Sequence, residues 1–145
     1  MHVDVLNGVN LDVVGRRSPD LYGGLSLDEL ETRIYEWGKE LDLRVRCRQT
    51  NHEGEYIDWC HDALDWAEGI VVNPGAWTHY SYAIRDAVEL IRVPVVEVHL
   101  SNVDEREEWR RHSVLSGLGG LRIVGKGFDG YREALGLLNE RRQSS

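Results

Sequence analysis

Short apolar runs along this chain alternate with longer stretches in which apolar residues recur every three or four positions. The short runs predict buried strands over 2–7, 45–49, 69–73, 93–98 and 121–124. The longer stretches predict helices over about 26–41, 55–67, 81–91 and 128–138. The first helix opens on Ser26-Leu27-Asp28-Glu29. This is a capping box, in which the serine hydroxyl accepts an orphan amide proton and the glutamate reaches back. Its apolar stripe is Leu27, Leu30, Ile34 and Leu41; that of the second helix is Ile57, Cys60, Leu64 and Ala67. The alternation Arg44-Val45-Arg46-Cys47-Arg48 marks an edge strand. Strands alternating with helices imply an α/β domain, with a parallel sheet and right-handed crossovers. Two segments stand outside the pattern. Residues 8–25, punctuated by Gly8, Gly15, Pro19 and Gly23, read as a long loop of the kind that serves as a lid. The tail from Arg141 to Ser145 reads as frayed. No repeat, low-complexity segment or linker divides residues 1–145, so a single domain is expected.

Polar clusters follow three of the strands: Asn7-Gly8-Val9-Asn10, Asn73-Pro74-Gly75-Ala76-Trp77-Thr78-His79, and Glu97-Val98-His99-Leu100-Ser101-Asn102. Ligands of open parallel sheets bind just beyond the carboxyl ends of the strands. Polar residues at three such ends point to one small-molecule site. The loop Arg16-Arg17-Ser18-Pro19-Asp20-Leu21-Tyr22-Gly23 adds a tyrosine with two arginines nearby.

Composition narrows the classes. The net charge of −8 argues against coating nucleic acid. No run is long enough to span a bilayer and the start Met1-His2-Val3-Asp4 lacks a basic leader, so the cytoplasm is the expected compartment. Cys47 and Cys60 lack metal-type spacing and read as reduced thiols. Of five tryptophans, Trp59 and Trp66 sit seven apart on one helix face, suiting core or interface, and Trp77 lies where it can shape a pocket or a contact.

The motifs resemble those of the type II 3-dehydroquinate dehydratases. The family's Leu-Asn-Gly-Pro-Asn-Leu start appears as Leu6-Asn7-Gly8-Val9-Asn10-Leu11, and its Arg-x4-Tyr-Gly loop as Arg17 to Tyr22-Gly23. Its Gln-Ser-Asn-x-Glu-Gly segment appears as Gln49-Thr50-Asn51-His52-Glu53-Gly54. The Asn-Pro-Gly-x-x-Thr-His loop spans Asn73 to His79, the Glu-Val-His-x-Ser-Asn strand end spans Glu97 to Asn102, and Arg106 to Arg110 and His112-Ser113 follow. The resemblance covers nearly the whole chain. Val9 departs from the family's proline and Tyr80 from its threonine; Val114 and Gly117-Leu118-Gly119-Gly120 also differ.

The resemblance implies a flavodoxin-like, doubly wound five-stranded parallel sheet with helices on both faces. It implies loss of water from 3-dehydroquinate to give 3-dehydroshikimate, with no cofactor and no metal, in trimers assembled into dodecamers. By the same token Tyr22 is the base. A phenol ionises near pH ~10, and an adjacent positive charge favours the phenolate; Arg17 is the natural source, with Arg110 adding to the field. His99 is the acid, oriented by Glu97 two residues earlier on the same strand face. Asn10 holds the enolate, directly or through water. Asn73, His79 and Arg110 hold ring hydroxyls, and Ser101 with the Leu100 amide holds the carboxylate. Arg106 is a candidate partner of Glu97 or Glu53 behind the site, and Asp86 approaches a neighbouring subunit's site.

Of the 17 basic residues only Lys39 and Lys126 are lysines, and neither lies in a strand-end cluster, which disfavours imine catalysis of the type I kind. A metal hydrolase using His52, His61, His79, His99 or His112 lacks any close ligand spacing. A non-catalytic nucleotide- or flavin-binding module lacks the G-x-x-x-x-G-K-[ST] loop. A relative acting on a similar cyclic hydroxy-keto acid is a further alternative.

Overall fold

The computed structural model describes residues 1–22 and 24–144. Strands β1 (His2–Asn7), β2 (Arg44–Gln49), β3 (Gly69–Asn73), β4 (Val95–His99) and β5 (Leu121–Val124) form one sheet. Its order is β2-β1-β3-β4-β5 and every pairing is parallel. This is the flavodoxin-like order, in which the chain winds outward from β1 in one direction and then the other. The carboxyl ends of β1, β3 and β4 therefore lie side by side. Asn7 pairs with Asn73 in register, and Val72 with Glu97.

Helices cover both faces. Helices α2 (Leu27–Glu40) and α5 (Asp129–Ser144) pack Leu30, Ile34, Leu135 and Leu138 against Val3, Val5, Val71 and Val98. On the other face α3 (Glu53–Trp66) and α4 (Tyr82–Glu89) pack Tyr56, Cys60, Ile84 and Val88 against Leu6, Ile70 and Val72. Ser26 Oγ accepts the Glu29 amide at 3.2 Å, as the capping box requires, but Glu29 returns to the serine hydroxyl rather than to its amide.

Several expectations need correction. The segment after β1 is not structureless. It holds a 3-10 turn over Leu11–Arg16 and a single helical turn, α1 (Pro19–Tyr22), because Leu11, Val14 and Tyr22 are buried in the core. Gly23 lies outside the described residues, as does Ser145. The inward stripe of α3 is Tyr56, Cys60 and Ala63; Leu64 is 45% exposed. The helix starts at Glu53, and the face it packs on the sheet is centred on Tyr56 and Cys60. As the four predicted helices imply, no α-helix links β4 to β5, only 3-10 turns at Val103–Glu105 and Glu108–Arg110. The tail is helical through Ser144. There Arg142 donates to the carbonyls of Leu41 and Asp42 at 3.4 and 3.5 Å, satisfying the C-terminal end of α2.

Trp59 and Trp66 are half-buried and pack against the core, as their spacing suggested, and each also meets an arginine. Arg48 stacks over Trp59 at 4.9 Å and Arg46 over Trp66 at 4.1 Å. Arg46 grips the fully buried carboxylate of Asp4 through two bonds of 2.6 and 2.9 Å. The edge strand thus places its charges inward, onto a carboxylate in the middle of β1.

Candidate active site

The site begins with two backbone turns pressed together. After β1 the Gly8 amide donates to the Asn73 carbonyl at 2.8 Å, so the turn after β1 lies against the turn after β3. A Cβ on Gly8 would lie 2.4 Å from the Pro74 oxygen, and Gly75 (φ 66°) would bring one within 2.6 Å of the Val9 oxygen. Only glycine fits at either position. Asn10 is also left-handed (φ 69°), a conformation that asparagine tolerates. Its amide is fixed by Asn51 Oδ1 at 2.8 Å, and Asn51 is itself tied to Asp12 and Gln49.

A pocket opens above these turns. Asn10, Arg17, Tyr22, Asn73, His79, His99, Leu100, Ser101, Arg106 and Arg110 all line it, so ten of the residues picked from the sequence converge. Glu97 lies behind His99, with its Oε2 2.6 Å from His99 Nε2. Both are nearly closed to solvent. Burial pushes the Glu97 carboxyl up, but bonds from His99 and Thr78 together hold it below the usual carboxylate range. Nε2 of His99 is taken by Glu97, which leaves Nδ1 for a bound molecule.

Tyr22 lines the same pocket. Arg17 stacks on its ring, with its central carbon 3.9 Å from the ring centroid. The contact to the phenol oxygen comes from elsewhere: Arg106 Nη1 donates to Tyr22 Oη at 2.6 Å and reaches Ser101 Oγ at 3.3 Å. Arg106 is therefore the partner of the tyrosine and not of Glu97 or Glu53, as expected from sequence. The 3-10 turn at Val103–Glu105 folds the chain back toward α1 and carries the guanidinium there.

His79 is held toward its neutral form. Burial pushes its pKa down and the neighbouring His99 and Arg110 lower it further, against the Nδ1 bond to the His112 carbonyl at 2.7 Å. With Nδ1 donating to that carbonyl, the neutral ring offers Nε2 as an acceptor. Trp109 packs edge-on against it at 5.2 Å, and Arg110 lies over Trp109 and is paired with Glu107 at 2.6 Å. Asn73 is oriented on two sides: its Nδ2 donates to Tyr131 Oη at 2.8 Å and its Oδ1 accepts the Gly75 amide at 3.1 Å.

Two candidates do not reach the pocket. Asp86 is exposed on α4, and Glu53 opens α3 away from it. Trp77 is buried in the core against Tyr56 at 5.6 Å and does not shape the pocket. Lys39 and Lys126 lie outside it. Among the described residues no three His, Cys, Asp or Glu side chains gather as metal ligands. Sequence reasoning missed Thr78, Ser113, Asn51 and Tyr131. The first three stand inside the quoted motifs, so their position was the available signal; Tyr131, on the last helix, had none.

The family model of class II dehydroquinases matches residues 1–139. The chain belongs to that family. The 3-dehydroquinate dehydratase of Deinococcus radiodurans is 50% identical over 137 residues, 94% of this chain and 96% of that protein. The crystal structure of the type II dehydroquinase from Butyrivibrio crossotus superposes with a TM-score of 0.93 at 45% identity, over 96% of this chain and 97% of that one. A 3-dehydroquinate dehydratase-like protein from Bifidobacterium longum is more distant, with a TM-score of 0.74 and 34% identity, covering 99% of this chain and 98% of that one. Tyr22 and His99 line one pocket of this family member.

Proposed function

We propose that the dehydration of 3-dehydroquinate to 3-dehydroshikimate runs in this chain through Tyr22 as general base and His99 as general acid. The protein is a hydro-lyase of the shikimate pathway. The observation that carries the assignment is that each group is held by an opposite partner in one pocket, Tyr22 by Arg106 and His99 by Glu97.

The substrate must lose a proton alpha to its ketone and then its tertiary hydroxyl. Tyr22, as phenolate, takes the proton. Arg106 at Oη and Arg17 over the ring place positive charge where that phenolate resides. The electrons move onto the ketone oxygen, and the Asn10 side-chain amide, directly or through water, stabilises the enolate without carrying charge itself. When the enolate collapses, the carbon–oxygen bond to the hydroxyl breaks and His99 delivers a proton, so water departs. Base and acid act on opposite faces of the ring, giving anti elimination. The cycle closes when Tyr22 gives up its proton and His99 regains one.

The remaining polar groups orient the ring. Neutral His79, Asn73 and Arg110 take its hydroxyls, and Ser101 with the Leu100 amide takes the carboxylate. A cytoplasmic dodecamer, built as a tetramer of trimers, fits this reading, with Asp86 of one chain completing a neighbour's site. In its support, Tyr80 and Tyr82 beside Asp86 are 60% and 65% exposed in the single chain, and Leu90 at the end of α4 is 52% exposed.

Following the conjugated enone product in the ultraviolet tests the assignment. General acid–base groups typically contribute ~10² to 10⁴ in rate. Tyr22→Phe and His99→Ala should each fall by at least that range while still binding substrate. A Tyr22→Phe enzyme with near-normal turnover would remove the tyrosine from the mechanism.

A further inference from the structure

Thr78 and Ser113 belong to the motifs yet do not line the pocket, and both are closed to solvent, at 0% and 3% exposure. They reach Glu97 from two different segments. Thr78, on the 3-10 turn Gly75–His79, donates to Glu97 Oε2 at 2.6 Å. Ser113 donates to Oε1 and Oε2, each at 3.1 Å. The Leu115 amide donates to Ser113 Oγ at 3.1 Å, which fills an acceptor position and leaves the hydroxyl proton directed at the carboxylate.

We propose that Thr78 and Ser113 are positioning residues of the elimination: their hydroxyls keep Glu97 aimed at His99 Nε2, so that the imidazole is held in place as the proton donor. The inference rests on the reading of His99 as the acid.

A carboxylate this deep in the protein is costly unless donors satisfy its lone pairs. His99 supplies one donor, and two neutral hydroxyls supply the rest. Their neutrality matters. They share the negative charge without competing for the proton that must reach the leaving hydroxyl. With either hydroxyl removed, the carboxylate becomes the stronger proton acceptor. It then protonates at higher pH and draws on the proton that His99 must give away. The other titratable and charged groups around Glu97 are His99 on its own strand, His79 on the turn that carries Thr78, Tyr56 on α3 and Arg122, its register partner on β5. Arg110 faces His79 from the segment that leads to Ser113. None of them is altered by changing the two hydroxyls.

The test is the pH profile of kcat for Thr78→Val, which keeps the shape and loses the hydroxyl, for Ser113→Ala, and for the pair. Each single change should move the acid limb up by about one pH unit, as expected for losing one hydrogen bond to a charged group. It should lower kcat at the optimum about tenfold and leave KM within about twofold. Thr78→Ser should recover most of the loss. A lower melting temperature with an unmoved acid limb would mean that the hydroxyls only hold the fold, and the proposal would fall. Thr78→Ser behaving like Thr78→Val would overturn it as well. If Thr78→Val does not fold, Ser113→Ala and Thr78→Ser carry the same comparison. Glu97→Gln separates the two levels of inference. If it abolishes the acid limb while the hydroxyl variants keep theirs, the positioning role fails and the acid assignment survives. If Glu97→Gln and His99→Ala both keep the normal profile, the acid assignment fails and takes this proposal with it.

Discussion

Replacing Arg106 by glutamine tests the base side of the pocket at its tightest contact. The Nη1–Oη distance is 2.6 Å, and the guanidinium is only 13% exposed, so solvent screens it little. A hydrogen bond involving a charged group contributes about 1.5–3 kcal/mol. At 1.36 kcal/mol per tenfold in rate, its loss from the transition state lowers kcat roughly 10- to 150-fold. The rate should not fall to background, because Arg17 remains stacked 3.9 Å from the ring centroid. Arg106 also reaches Ser101 Oγ at 3.3 Å, so KM should rise a few-fold as the carboxylate end of the pocket loosens. Arg106→Lys should recover only part of the rate, since an ammonium cannot span the phenol and the serine as a planar fork does. Initial rates from enone absorbance, with thermal melts to confirm folding, measure all three enzymes. If Arg106→Gln works within about threefold of the parent at the pH optimum, the contact contributes nothing to catalysis and the phenolate must be stabilised elsewhere.

Two further predictions concern the scaffold. Asp4 is fully buried and paired with Arg46, and removing one member of a buried pair costs about 3–5 kcal/mol. Arg46 is 35% exposed and can turn to solvent, so Asp4→Ala should cost about 3 kcal/mol in urea unfolding; a change below about 1 kcal/mol would show that the pair is dispensable. Burial pushes the thiols of Cys47 and Cys60 up to about 12, so neither should react with a disulfide reagent at pH 8 until the chain is unfolded, when both should; rapid labelling of the native protein would contradict this.

Much of the molecule was legible from its apolar spacing, for a physical reason. A central parallel strand is buried on both faces, so Ile70-Val71-Val72 announces itself as a short apolar run. The polar residues that follow such a run can only sit at the strand's mouth. What was not legible depended on where irregular backbone folds back. Arg106 lies after a 3-10 turn, and nothing in Asp104-Glu105-Arg106-Glu107 tells which of several acceptors the guanidinium meets. The periodicity of α3 misled because Tyr56 and Ile57 are adjacent large side chains and either could face inward; the tyrosine does, and its hydroxyl donates to the Leu6 carbonyl at 2.9 Å. From sequence, Arg46 and Arg48 marked an edge strand and nothing more. Their turn toward Asp4 requires knowing that Asp4 is opposite Arg46 in register, which is a tertiary fact.

The two halves of the chemistry are mounted on parts of the fold with different resistance to movement. Glu97 and His99 lie on β4, between β3 and β5, with Thr78 and Ser113 closing the carboxylate from outside the strand. Displacing them would break ladder bonds and bury an unsatisfied charge, so the proposed acid is fixed before substrate arrives. Tyr22 stands on a single helical turn, too short to be stable by itself. It is held by the packing of Leu11 and Val14 beneath it and by the two arginines at its ring. A pocket that must admit a ring and then exclude water has to open somewhere. Opening at Tyr22 gives up a few side-chain contacts, whereas opening at His99 would disrupt the sheet. The proposed base therefore stands on the part of the wall that opens at the lower cost. Arg17 precedes it by five residues on the same wall, so the charge that supports the phenolate moves with it.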